Sequence, residues 1–131
     1  MGLSKSALVG ATVLPVEEVP VPELDGTVWV RGMSGTERDA FESGLWIGKG
    51  RHRQINTQNL RARLLAYCVQ ESSAGGRMFN DAEVDAIGRI RVDVLQRLFN
   101  VAQRLSGISD EDVEELGKKL PTMAGSDGLS S

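Results

Sequence analysis

The sequence predicts a mainly α-helical α+β domain: a compact bundle of about five helices preceded by an N-terminal β-hairpin. Three observations predict this fold. Residues 93–105 are amphipathic with a helical period, and an Asp-Gly pair separates two strand-like stretches within residues 18–31. In addition, a Ser or Asn is followed three residues later by an acid at three places, a pattern that starts helices.

The helix predicted at 91–105 is the centre of the bundle. At 100° per residue, its apolar side chains fall in one arc of about 120°, with Phe99 at the edge of the arc. The residues of this arc are Val94, Leu95, Leu98, Val101, Ala102 and Leu105. Such a helix must bury one broad face, and Gly107 suits the left-handed residue that ends it.

Two further helices are predicted beside it, at 81–87 and 110–119. Each begins with an N-cap residue and an acid three positions later. The capping pairs are Asn80 with Glu83 and Ser109 with Asp112. Five acids crowd the start of the last helix, where the helix dipole favours negative charge. We interpret them as a helix-start feature rather than a binding patch.

The N-terminal part is predicted to contain a flexible arm at 1–15 and a hairpin at about 18–31. The Asp-Gly pair supplies the positive φ angles of a two-residue turn. Pro20 and Pro22 lie two residues apart, so their nitrogens point to the same side of the first strand, and that side must face solvent. The first strand is therefore predicted to be an open sheet edge.

A helix is predicted at 35–47, begun by the capping box Ser34-Gly-Thr-Glu37. Phe41 and Leu45 share its buried face, whereas Trp46 projects about 100° or more away from them. Two interpretations of Trp46 stay open. It covers a neighbouring loop, or it is an exposed aromatic anchor for a partner.

Between this helix and the next, predicted at 58–70, the chain is polar and basic. We interpret the segment 49–63 as a solvated basic loop, with contact to DNA as the alternative. Arg61 falls inside the apolar face of the predicted helix, so either it reaches the edge of that face or it pairs with an acid such as Glu83 or Asp85. We favour a structural ion pair, and Asp85 is the candidate partner of Arg61.

Composition argues against several classes of function. With 131 residues and a net charge of −3, the chain is one domain with no general affinity for nucleic acid. It contains no apolar run long enough to span a membrane. One cysteine, Cys68, and one histidine, His52, are too few for a zinc site, and no nucleophile–base pair or phosphate loop is present. We therefore expect no metal, no cofactor and no enzymatic activity. Residues 121–131 are predicted to be disordered.

Three blocks of sequence follow one another within residues 16–119. The first block runs from Val28 to Glu42 and the second from Asn59 to Leu64. The third runs from Phe79 to Gly88 and is followed by the segment Leu95 to Ile108 and the acidic last helix. In order and spacing, these blocks resemble the tail assembly chaperones of siphovirus-type bacteriophages, which have long, non-contractile tails, and of related prophages.

The resemblance implies a non-enzymatic, non-structural assembly protein. Proteins of this family bind the tape measure protein, keep its long apolar helices soluble, and recruit tail tube subunits during tail morphogenesis. The resemblance also implies that the chain acts in the cytoplasm of the bacterial host, has no membrane partner and is absent from the mature virion. Self-association is left open.

Binding of an apolar helix requires exposed apolar surface. The candidate contact residues are Trp46 and Ile47, together with Val19 and Val21 at the strand edge. Two alternative functions stay open. One is a small DNA-binding or regulatory module that uses the basic segment 49–63, and the other is a structural head–tail connector.

Overall fold

A computed structural model of the protein describes residues 2–47, 51, 54–55 and 59–115. The fold is mixed α+β and mainly helical, with a three-stranded antiparallel sheet near the N-terminus, which confirms the predicted fold class. The strands of this sheet are β1 (Val16–Val21), β2 (Gly26–Arg31) and β5 (Val69–Gln70), in the order β1-β2-β5. A second antiparallel pair joins β3 (Trp46–Ile47) and β4 (Gln54–Ile55).

The helices pack on this sheet and on one another. In chain order they are α1 (Lys5–Val9), α2 (Gly35–Ser43), α3 (Leu60–Cys68), α4 (Val84–Gly88) and α5 (Val92–Leu105), and residues 110–115 form the described part of α6. Short 3-10 helices lie at Pro22–Leu24 and Asp81–Glu83. No helix within the described ranges is long and apolar enough to cross a membrane.

The N-terminal hairpin forms, but its turn is longer than the predicted two residues. Val21 pairs with Gly26, and residues 22–25 make the turn, with Asp25 in the left-handed conformation at φ 58°. The fixed φ angle of Pro22 suits the start of a 3-10 helix, so the chain leaves the strand before it reaches the Asp-Gly pair.

β1 is the outer strand of the sheet, as the two prolines indicated. The N–H of Gly32 donates to the carbonyl of Pro15 at 2.9 Å, and the alternation that follows directs the nitrogen of Pro20 away from β2. The missing N–H of Pro20 therefore leaves no gap in the hairpin, and the open edge offers one donor fewer to another strand.

The helix predicted at 35–47 is shorter than expected, because α2 ends at Ser43. Gly44 closes it, with its N–H donating to the carbonyl of Ala40 at 2.9 Å. Beyond this glycine, which is a poor helix residue, Trp46 and Ile47 extend as β3, a conformation that aromatic and β-branched residues favour.

The helix predicted at 58–70 also loses its C-terminal end to a strand. Val69 pairs with Val30 and Gln70 pairs with Trp29, so these two residues form β5 instead of a last helical turn. Val69 is β-branched and buried in the sheet, and tertiary pairing of this kind overrides local helix preference.

Capping is predicted correctly. Reciprocal capping bonds join Ser34 with Glu37, Asn80 with Glu83 and Ser109 with Asp112. Gly107 adopts φ 73° and follows the end of α5. The helix predicted at 81–87 is divided into a 3-10 turn and α4.

The core lies between the sheet and the pair α3 and α5. Phe99 and most of the predicted apolar arc of α5 are buried, and so are Cys68 and the predicted core residues Phe41 and Leu45. α3 and α5 run roughly parallel, because Arg61 contacts Gln96 near their first turns and Cys68 lies 3.8 Å from the Ser106 hydroxyl near their last turns.

The predicted arm at 1–15 contains the short helix α1, which the Ser4 hydroxyl caps and which buries no residue. Its flexibility stays a prediction. The tail predicted to be disordered, residues 121–131, lies outside the described residues.

Candidate partner-binding groove

The structure places Val19 and Val21 in the core rather than on the surface. Their side chains are only 4% and 1% exposed, because the alternation of β1 turns both of them inward. The prediction that they provide apolar contact surface therefore needs correction. A partner at this edge would meet only the backbone and the outward-facing side chains.

Trp46 does not project from a helix, because α2 ends before it. It is half-buried, packs against the core and lies opposite Ile55 in the β3–β4 pair. This position agrees with the interpretation that Trp46 covers a neighbouring segment. Ile47 lies opposite Gln54 in the same pair, and a role for either residue in partner binding stays a prediction.

The predicted ion pair between Arg61 and Asp85 is replaced by two other contacts. The guanidinium of Arg61 donates to the side-chain carbonyl of Gln96 at 2.6 Å, and the carboxylate of Asp85 accepts from the amide of Asn59 at 3.1 Å. Arg61 forms no salt bridge with any carboxylate in the described ranges. The prediction failed because Arg61 lies next to the Gln96 amide of α5, while Asp85 of α4 is bonded to Asn59 instead.

A groove with a volume of about 440 Å³ opens between the first turns of α3 and α5 and reaches α6. Its apolar lining comes from Leu60, Ala62, Leu95, Phe99 and Val113. Its polar lining comes from Asn59, Arg61 and Gln96, with Gly88 completing the wall. The groove thus exposes apolar and polar groups in about equal measure.

Val92 extends the apolar floor along α5. It lies three and seven residues before Leu95 and Phe99, so the three side chains follow one side of the helix over about 10 Å. Val92 is 65% exposed, whereas its two neighbours on this strip are almost buried. An exposed valine beside a groove is apolar surface that a partner can cover.

Gly88 and Asn59 shape one wall of the groove. Asn59 has a left-handed backbone (φ 59°), and a Cβ added at Gly88 would lie 2.8 Å from the side-chain oxygen of Asn59. The glycine therefore gives the Asn59 amide the space to reach Asp85, and this hydrogen bond joins the first turn of α4 to the start of α3.

The other side of α5 is covered by the hairpin of the same chain. Arg97 donates two hydrogen bonds to Glu23, at 2.7 and 2.6 Å, and Arg104 donates to Glu17 at 2.8 Å. Hydrogen bonding from Arg97 lowers the pKa of Glu23 from 4.5 to about 2. At 100° per residue, both arginines point about 120–140° away from Val92, so the ion pairs and the groove occupy different sides of the helix.

The N-terminal arm provides a second exposed apolar surface. Leu3, Leu8, Val9 and Val13 are between 65% and 93% exposed. Four large apolar side chains in so short a segment have no cover within the described fold. They are a further candidate contact for another molecule.

Other reactive chemistry is sparse in the described part of the chain. Burial raises the pKa of the Cys68 thiol to about 11, so the thiolate form is disfavoured. Among the described residues, no group of three or more His, Cys, Asp or Glu side chains is arranged to hold a metal ion. His52 lies outside the described residues, and so do Lys49 and Arg53 of the basic segment 49–63.

In the comparisons with known proteins, no family model, curated protein or solved structure matches the chain. The resemblance to tail assembly chaperones stays a prediction from the sequence blocks. The functional assignment therefore depends on the chemistry of the surfaces described above.

Two features on this side of α5 were missed in the sequence, although one left a signal. Val92 is an apolar residue outside the main apolar arc of α5, and Phe99 lies between it and that arc. Together they predict a second, narrower apolar strip. The burial of Gln103, which donates to Asp110 at 2.6 Å, depends on the placement of α6 and has no such local signal.

Proposed function

We propose that this protein is a non-enzymatic assembly chaperone of the phage tail type, which binds apolar helical segments of a tape measure protein and keeps them soluble. The observation that carries the proposal is the groove between α3 and α5, with its apolar floor and the exposed Val92 at its end. A groove of this kind accepts side chains at i, i+3 and i+4 of an amphipathic helix.

The sequence blocks that resemble tail assembly chaperones support the same proposal independently. The groove lining comes mostly from these blocks. Asn59, Leu60, Arg61 and Ala62 lie in the second block, Gly88 ends the third, and Leu95, Gln96 and Phe99 lie in the segment that follows it. In this proposal, tail tube subunits are recruited by the loaded chaperone. The exposed arm at 3–13 is a candidate contact for them or for a second copy of the chain.

Electrostatics favour a protein partner over DNA. The net charge of the chain is −3, and five of the six residues at 110–115 are acidic. Net negative charge disfavours binding to a phosphate backbone, whereas capture of an apolar helix depends little on it.

The test is co-expression with a long, helix-rich tape measure protein of a siphovirus-type phage, followed by pull-down and a solubility assay. We expect a soluble complex that persists between about 50 and 500 mM salt, because apolar capture depends little on counterion release. A tape measure protein that stays insoluble while this chain elutes alone would contradict the proposal. Binding to duplex DNA that weakens steeply with salt would support the DNA-binding alternative instead.

A further inference from the structure

Arg61 is an arginine at the mouth of the groove whose only polar contact within the described residues is a neutral amide. Most other described arginines have a carboxylate partner. Those in salt bridges are Arg31, Arg38, Arg77, Arg91, Arg97 and Arg104. The charge of Arg61 is therefore available to a carboxylate that comes from another molecule.

The nearby acids already have donors of their own. Asp85 accepts from Asn59, and Asp93 accepts two hydrogen bonds from Arg91 at 2.7 and 2.8 Å. Because these carboxylates are occupied, neither one competes for Arg61 in the fold. An arginine at the edge of an apolar floor complements a helix that carries an acid beside its apolar side chains.

Arg61 can exchange its contact with Gln96 for another acceptor at a small cost in free energy. Gln96 also donates to the side-chain carbonyl of Asn100 at 2.7 Å, so its amide stays partly bonded when Arg61 turns away. Arg61 is exposed, and water can replace it on the freed carbonyl. A carboxylate offers the guanidinium a charge-assisted bond in place of a neutral one.

We infer that the groove between α3 and α5 binds an apolar helical segment with a carboxylate at its edge, and that Arg61 exchanges the Gln96 amide for that carboxylate. This inference rests on the proposed function and specifies the segment that is captured. Arg61 is the only charged side chain among the described residues that line the groove, so a helix with an acid beside its apolar positions fits and one with a base there does not. Arg61 thereby selects the ligand and fixes its orientation.

The test uses two synthetic helical peptides with the same apolar positions. One carries a single Glu one turn from its apolar anchor, and the other carries Gln at that place. Fluorescently labelled peptides are titrated with the full chain at low salt. We expect the Glu peptide to bind about three- to tenfold more tightly, a preference that decreases as salt rises.

Arg61→Gln should abolish the preference, so that the two peptides bind with equal affinity, while Arg61→Lys should keep part of it. The matched control is Arg104→Gln, which makes the same change of charge on the hairpin side of α5 and should retain the full preference. Circular dichroism and thermal unfolding check that each variant is folded.

The possible failures can be told apart. Equal binding of both peptides by the wild-type chain, together with a soluble tape measure complex, would overturn the role of Arg61 and leave the proposed function standing. No binding of either peptide and no soluble complex would overturn both. If sedimentation instead shows that a second copy of the chain fills the groove and excludes the peptides, the inference about an acidic helical ligand is also overturned.

Discussion

The arginines on the two sides of α5 differ in whether the chain itself supplies a carboxylate partner. On the hairpin side, Glu23 and Glu17 of the same chain bind Arg97 and Arg104. On the groove side, Arg61 contacts only the neutral amide of Gln96 within the described residues. The chain itself neutralises the arginines on the hairpin side. Among the described residues, the groove side has an arginine without a carboxylate partner and an exposed apolar residue, Val92.

This difference connects stability to function. β1 runs antiparallel to α5, since Glu17 in β1 precedes Glu23 in the turn, whereas Arg104, the partner of Glu17, follows Arg97 in the helix. Two ion pairs along this line hold the sheet against the helix. Within the described residues, no such ion pairs cover the groove side of α5. A partner can therefore bind there without displacing the hairpin or unfolding the core.

The largest effect is expected at the place where the hairpin meets the end of α5. A Cβ at Gly32 would overlap the backbone carbonyl of Leu105, and backbone cannot move aside as a side chain can. Gly32→Ala should lower the free energy of unfolding by about 2 kcal/mol or more in urea titrations. Gly35→Ala is the matched control, because nothing lies within 4 Å of its added Cβ. Equal stability of the two variants would show that the hairpin does not approach α5 so closely.

The ion pair at the hairpin tip should make stability depend on pH. The pKa of Glu23 is lowered from 4.5 to about 2, so its contribution is complete above pH 4.5 and is lost as the pH falls towards 2. Glu23→Gln should therefore be less stable than wild type at pH 6, and the difference should vanish near pH 2. Thermal unfolding across this range measures it. In a double-mutant cycle, Arg97→Gln should have no additional effect once Glu23 is replaced.

A smaller effect is expected for the glycine on the groove side. The Cβ in Gly88→Ala meets the end of a flexible side chain, Asn59, so the free energy of unfolding should fall by less than about 1 kcal/mol. The variant should displace the Asn59 amide from Asp85. Because Asn59 has a left-handed backbone, Asn59→Gly is tolerated, and the substitution at Gly88 should cause no loss in that background. A loss as large as that of Gly32→Ala would mean that both glycines contact rigid backbone.

The smallest effect on stability is expected at Arg61. Because Arg61 is exposed and its only polar contact among the described residues is a neutral amide, Arg61→Gln should change the free energy of unfolding by no more than about 0.5 kcal/mol. Arg104→Gln, which breaks an exposed ion pair, should lose somewhat more, up to about 1 kcal/mol. If Arg61→Gln proved the more destabilising variant, Arg61 would have a structural role rather than a binding role.

Local chemistry was sufficient to predict much of the fold. The capping boxes at Ser34 and Asn80, the left-handed Gly107 and the buried arc of α5 follow from rules that act within one or two helical turns. The errors lie where distant segments meet. Val69 leaves the helix predicted at 58–70 to pair with Val30.

The groove could be predicted only in part, for the same physical reason. The apolar strip from Val92 to Phe99 can be recognised in the sequence, because both lie on one helix. The partner of Arg61 could not be predicted, because it depends on the parallel packing of α3 against α5. The inward direction of Val19 and Val21 could be predicted from strand alternation only if the covered face of the sheet was known.

The most direct test of the central claim is hydrogen–deuterium exchange on the complex of this chain with the tape measure protein. We predict slower exchange, relative to the free chain, in residues 59–66 and 92–99 around the groove, and unchanged exchange in the hairpin at 16–31. Protection of the hairpin with no change at the groove would contradict the assignment of the binding site. If no complex forms and exchange is the same with and without the tape measure protein, the chaperone function itself is contradicted.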